Sequence, residues 1–180
     1  MTKDFTITVY TENQVGLLNR ITIIFTKRKI NIESLTVSAS EQEGIHRYTV
    51  VIREPKEVAD KVVKQIEGLV DVLWAYSHEN DDIIQQQMAI YKIPTKVFAH
   101  GGKAEKIVRA HHARVLTMEK DFTVIEKTGY HEETLQLFED LKPYGIIEFS
   151  QSGRVAVSKK QKGISGFMKQ NSTEELISDI

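Results

Sequence analysis

Apolar and hydroxyl-bearing residues alternate near the start of the chain, with Phe5, Ile7 and Val9 interleaved with Thr6, Thr8 and Tyr10. Alternation at period two predicts a strand with one buried face. The polar stretch Thr11 to Gln14 interrupts it, and Leu17, Leu18, Ile21, Ile24, Phe25 and Arg28 then recur at helical spacing, the apolar members forming a core stripe. Leu35, Val37 and Ala39 alternate with Ser34, Thr36 and Ser38. Glu41-Gln42-Glu43-Gly44 supplies turn chemistry before a second alternation at Tyr48, Val50 and Ile52, so the two runs read as a hairpin. Pro55 sits where a helix can start, Val58, Val62 and Ile66 give that helix an apolar face, and Gly68 ends it before Val70, Val72, Trp74 and Tyr76. The predicted order is βαββαβ, closing near Ser77.

The second half follows the same plan without obvious sequence identity to the first. His78-Glu79-Asn80-Asp81-Asp82 reads as a polar linker. Met88 to Ile93 is an apolar run closed by Pro94, and His100-Gly101-Gly102 precedes a helical stripe of Ala104, Ile107, Val108 and His111. Val115 to Met118 and Phe122 to Glu126 flank Glu119-Lys120-Asp121 as a hairpin. Leu135, Phe138 and Leu141 mark a helix stopped by Pro143 and Gly145, and Ile146 to Phe149 supplies the closing strand. Val155 to Val157 suits an extra strand, and from Lys159 onward the pattern fades into Lys, Gly and Ser. The expected division is a domain at 1–78, a second at 79–160 and a flexible tail at 161–180. A domain of about 80 residues buries only about 60% of its unfolded surface, and an open four-stranded sheet leaves edges to cover, so pairing with a second copy is expected.

Composition narrows the function. A net charge of -1 provides no excess of Lys and Arg for nucleic-acid backbones, and no cysteine is present for disulfides, thiolate nucleophiles or thiolate metal sites. The start has no apolar signal core, and no run approaches the ~20 apolar residues of a membrane helix, so a cytoplasmic protein is expected.

Catalytic constellations are thin. His100-Gly101-Gly102 occurs without a G-x-S-x-G elbow, the adjacent His111 and His112 point to different sides of a helix, and Glu132-Glu133 suits a helix N-terminal turn. No segment supplies nucleophile, base and orienting group together.

The segment with chemical promise is Asn13-Gln14-Val15-Gly16-Leu17-Leu18, followed by Asn19-Arg20 and fitting N-x-x-G-x-L-x-R at a strand-to-helix junction. A helix N-terminus presents unpaired N–H groups and partial positive charge, so a carboxylate can dock there without Lys or Arg. Gly16 permits close approach to the backbone, and the Asn13 amide offers a donor and an acceptor to a zwitterion. Alternatively Asn13 caps the helix and Gly16 relaxes a tight turn. Asn31 and Ile32 open the next strand and complete the candidate set, with a plain strand-entry turn as the alternative for Asn31.

The stretch from Asn13 to Ile52, above all Asn31-Ile32-Glu33-Ser34-Leu35-Thr36-Val37, resembles the N-terminal ACT domain of acetolactate synthase (acetohydroxyacid synthase) small subunits. Leu69-Val70-Asp71-Val72 and Ile146 to Gly153 resemble later parts of the same family. The resemblance is strong over 5–77 and looser over 84–158. It implies an α+β fold of two ferredoxin-like βαββαβ domains, the first an ACT domain. It also implies a non-catalytic regulatory subunit that homodimerises through ACT domains, activates the large catalytic subunit and confers feedback inhibition by a branched-chain amino acid, usually valine, with leucine or isoleucine as other candidates. A stand-alone sensor regulating a different enzyme is the alternative. Asn13, Gly16 and Leu18 would come from one protomer and Asn31 and Ile32 from the other. Thiamine diphosphate, Mg and FAD would belong to the catalytic partner and no cofactor to this chain. Relatives commonly carry Gly where this chain has Lys29, at a helix end that favours positive φ, a conformation costing a side-chain-bearing residue roughly 1 kcal/mol.

Overall fold

A computed structural model describes residues 1–98, 102–160 and 163–168. In the first half, β1 (Lys3–Glu12), α1 (Leu17–Lys27), β2 (Ser34–Ala39), β3 (Ile45–Glu54), α2 (Lys56–Glu67) and β4 (Val72–Glu79) follow the expected order. They form an antiparallel sheet ordered β2-β3-β1-β4. Phe5, Ile7 and Val9 of β1 meet Leu17, Ile21, Ile24 and Phe25 of α1 and Ala59, Val62, Val63 and Ile66 of α2 in one core. Thr6, Thr8 and Tyr10 are buried as well, so β1 is covered on both faces and not on one as its alternation predicts.

The second half repeats the plan with β5 (Ile83–Pro94), α3 (Lys103–Ala110), β6 (Arg114–Met118), β7 (Phe122–Gly129), α4 (His131–Leu141) and β8 (Glu148–Gln151). Its sheet order, β6-β7-β5-β8, is the same path as in the first half. Ala89, Tyr91, Ile93, Ala104, Val108, Ile125, Leu137 and Leu141 build the core. The buried Tyr91 hydroxyl donates to the Thr134 carbonyl at 2.6 Å. The face of α4 is rotated from the expected one: Thr134, Leu137 and Leu141 are buried while Leu135 is exposed.

Domain limits differ from the pattern-based ones in two places. β4 continues through Ser77, His78 and Glu79, which pair with Ile7, Thr6 and Phe5, so the acidic run contributes only a single 3-10 turn over Asn80–Asp82 and no linker. Contacts therefore divide the chain between Ile84 and Gln85. By contacts the described chain from Arg154 onward groups with the first unit, while the extra strand β9 (Val155–Ser158) pairs with β5 and so extends the second sheet toward the expected limit at 160. Residues 163–168 of the expected flexible tail contain a helical turn in which Ile164 is fully buried; the remainder of 161–180 lies outside the described residues.

Both first helices end in the same way. Lys29, at φ 57, donates its N–H to the Thr26 carbonyl at 3.0 Å while the Ile30 N–H reaches the Phe25 carbonyl at 3.0 Å. His112, at φ 52, does the same to Arg109 at 3.0 Å, with the Ala113 N–H reaching Val108 at 2.9 Å. These crossed pairs are Schellman motifs, whose left-handed residue is usually glycine. The turn expected at Lys29 thus forms with a lysine in it. Lys29→Gly and His112→Gly should each stabilise by roughly 0.5–1 kcal/mol. That is the left-handed penalty of about 1–2 kcal/mol less the extra unfolded-chain freedom of glycine, and urea unfolding measures it.

Candidate functional site

The strand β1 ends at Glu12, and the loop to α1 is pinned by backbone on both sides. The Asn13 N–H donates to the Gly44 carbonyl at 2.9 Å and the Glu12 N–H to the Asp71 carbonyl at 3.1 Å. Gly44, at φ 75, belongs to the β2–β3 turn, and Asp71 to the connection from α2 to β4. The Asp71 carboxylate also pairs with Arg20 of α1, which ties the helix start to the same connection. Neither Gly44 nor Asp71 stands out as a site residue in the sequence, since each supports the loop from a distant position. Only the three-dimensional pairing of strand ends shows their role.

The cap of α1 is Gly16, at φ 86, with no side-chain cap and no acidic residue in the first turn. The alternative in which Asn13 caps the helix therefore does not apply; its side chain is exposed, as are Gln14 and Val15. The positive pole of an 11-residue helix is left open to solvent behind a glycine turn. A Cβ built on Gly16 would meet nothing within 4 Å, so the glycine answers to backbone conformation and not to crowding. Leu17 is buried at the head of the core stripe, while Leu18, expected in that stripe, is 42% exposed beside the loop. Leu18 thus stands outside the core, and Leu17 anchors the helix.

Asn31 and Ile32 lie beyond the other end of α1. A helix of 11 residues is about 16 Å long, so they are not close to the loop within one chain. Asn31 is exposed and donates from Nδ2 to Glu33 Oε1 at 2.9 Å, and Ile32 is half-buried against the core. At that far end a cavity of about 460 Å³ is lined by Lys3, Asp4, Arg53 and Glu79. Those charges already pair with each other, Lys3 with Glu79 at 2.6 Å and Arg53 with Asp4 at 2.7 Å, which holds Lys3 and Arg53 above their ordinary pKa ranges.

The groups set aside in the sequence have structural partners. His111 is the C-cap of α3 and its Nε2 lies 2.7 Å from Asp140 Oδ2. Glu133 accepts the Tyr130 N–H at 2.7 Å at the head of α4. His100 and Gly101 lie outside the described residues. Among the described residues no group of three or more His, Asp or Glu side chains is arranged to hold a metal, and no helix is long and apolar enough to cross a membrane.

A βαββαβ unit with an open helix N-terminus behind a glycine turn belongs to the ACT class of domain, and residues 7–74 match the family model for the AHAS small subunit-like ACT domain. Residues 86–160 match the model for the small subunit of acetolactate synthase. The acetolactate synthase small subunit of Bacillus subtilis is 36% identical over 156 residues, covering 85% of this chain and 89% of that one. That of Mycolicibacterium smegmatis is 32% identical over 163 residues, covering 91% and 95%. The crystal structure of the Thermotoga maritima acetolactate synthase small subunit superposes with a TM-score of 0.80 at 19% identity, covering 89% of this chain and 99% of that one, and shares the fold. The chain belongs to the acetolactate synthase small-subunit family.

Because Gly16 is required by φ and not by space, Gly16→Ala should destabilise by about 1 kcal/mol. Gly16→Asn should be nearly neutral, because Asn tolerates left-handed backbone and caps helices well. Paired urea melts decide it: equal losses would mean that the position is sterically crowded.

Proposed function

We propose that this chain is the regulatory subunit of a cytoplasmic acetolactate synthase: docking on a separate catalytic subunit raises activity, and a branched-chain amino acid, valine first, lowers it. Family membership supports the regulatory role. The observation that carries the effector part is the uncapped N-terminus of α1 behind left-handed Gly16. Its free N–H groups suit the carboxylate of an amino acid, the Asn13 amide suits either end of the zwitterion, and exposed Leu18 suits an aliphatic side chain.

The separation of Asn31 from the loop supports an intersubunit site. The sheet edge β2 runs from Ser34, opposite Val51, to Ala39, opposite His46, and the loop end of β1 lies opposite Ile45. Antiparallel pairing of β2 with its copy reverses its direction, so the start of the copied strand arrives at the loop end. Asn31 and Ile32 of the partner subunit would then face Asn13, Gly16 and Leu18, and the dimer would also cover an exposed edge. In this reading thiamine diphosphate, Mg and FAD reside in the catalytic subunit, which condenses two 2-oxo acids, and this chain shifts its conformational balance. Inhibition requires that the effector bind the active and less active states unequally, typically by about 1–3 kcal/mol.

Calorimetric titration with valine, leucine and isoleucine should show binding by at least one, and reconstitution with the catalytic subunit should give activation that this amino acid reverses. Binding without any change in acetolactate formation would redirect the assignment to a stand-alone sensor of another enzyme. Gly16→Asp places a carboxylate where the effector's own would sit. It should weaken effector binding more than tenfold, on the order of the 1.5–3 kcal/mol typical of one such charge-assisted contact, and yield a complex that activates but resists inhibition. Retained inhibition would move the site away from α1.

A further inference from the structure

The second face of the first sheet carries a set of contacts that effector binding does not explain. Arg154, 8% exposed, donates its N–H to Ser34 Oγ at 2.9 Å, and its Nη1 reaches Thr6 Oγ1 at 2.8 Å and Asn80 Oδ1 at 3.0 Å. The Arg47 guanidinium donates to the Ala156 carbonyl, and Lys159 donates its N–H to Asp82 at 3.0 Å and its ammonium to Asp81 at 2.8 Å, both carbonyls. The chain then closes a helical turn, with the Phe167 N–H reaching the Gly163 carbonyl at 3.2 Å. Ile164 is buried with Tyr10 and Ile45. Phe167 stacks on Trp74 with ring centroids 4.5 Å apart and 5° between planes, and Trp74 also stacks on Tyr10 at 5.9 Å and 13°.

The docking position of this turn coincides with the supports of the effector loop. Tyr10 lies two residues before Glu12, whose N–H is held by Asp71. Ile45 follows Gly44, whose carbonyl holds Asn13, and Trp74 lies just beyond Asp71 and Val72. The β1–β4 register slips between Tyr10 and Thr11, so this end of the ladder is irregular. Resting on the effector reading above, we propose that the 163–168 turn is a latch on the effector loop and that Phe167 is a positioning residue for it, acting through Trp74 and Tyr10.

The physical basis is entropy. With the turn seated, the three backbone segments that define the Asn13–Gly16 loop are held before any ligand arrives. With it released, the aromatic surface of Tyr10 and Trp74 is uncovered, the irregular strand end loosens, and the ligand must order the loop as it binds. Linkage makes the effect reciprocal: effector binding must tighten the latch by the same factor that the latch tightens binding.

Trp74 is the sole tryptophan, so its fluorescence reports the latch directly. In the full chain, Phe167→Ala should red-shift the emission and raise acrylamide quenching, and should weaken valine binding in calorimetry by roughly five- to tenfold, within the range of measured couplings. Phe167→Tyr, which preserves stacking, should restore both. Saturating valine should reduce quenching of Trp74 in the unmodified chain and not in Phe167→Ala. An unchanged emission in Phe167→Ala would mean that the turn does not sit on Trp74. A changed emission with unchanged valine affinity would overturn the coupling while leaving the effector site in place. If the unmodified chain bound none of the three amino acids, both the effector reading and the latch would fall.

Discussion

The whole first unit depends on a single constraint, that β1 is buried on every side. It pairs with β3 along one edge and β4 along the other. Phe5, Ile7 and Val9 lie under the two helices, and Thr6, Thr8 and Tyr10 are buried on the opposite face. A buried hydroxyl requires a hydrogen-bond partner, and the Arg154 guanidinium gives Thr6 one. Paired along both edges and covered on both faces, the strand brings Glu12 to a defined point. The loop from Asn13 to Gly16 starts from there, and α1 begins with its first N–H groups facing away from the core.

Much of this was legible in the chain. Period-two and helical spacing located the eight strands and four helices of the repeated plan, and Gly16 marked a turn; that Gly16 and Lys29 both adopt left-handed backbone shows only in the fold. What escaped was everything that depends on distant partners. Thr6 and Thr8 look like solvent-facing residues, since nothing near them in sequence announces that residues from Arg154 onward cover that face. The rotation of α4 was hidden because Leu135 and Leu137 are both apolar and only packing chooses between them. That Asn31 and the loop lie apart within one chain follows from the length of α1, which no residue of either segment announces.

The two units share a strand path and a helix ending without sharing recognisable sequence. Lys29 and His112 occupy the same step, two residues past the first helix, where the chain must reverse into a hairpin strand. A left-handed residue makes that reversal in one position and satisfies two helix carbonyls. The hydrophobic residue that follows, Ile30 or Ala113, inserts into its own core. The geometry is thus set by the turn, and the identity of the residue in it is secondary, at a modest energetic cost.

The placement of residues 154–168 also bears on how the protein is made. The first unit is discontinuous: its strands leave the ribosome early, but Arg154, Ile164 and Phe167 emerge only after all of Gln85–Gly153 has been synthesised. Domains generally fold from the N-terminus as they appear, at about 5–20 residues per second, so a nascent first sheet spends several seconds with Tyr10, Trp74 and Tyr76 uncovered. Residues 154–168 end that exposure, which ties completion of the first unit to synthesis of a segment that follows the second and keeps a product truncated before it from acquiring the mature surface.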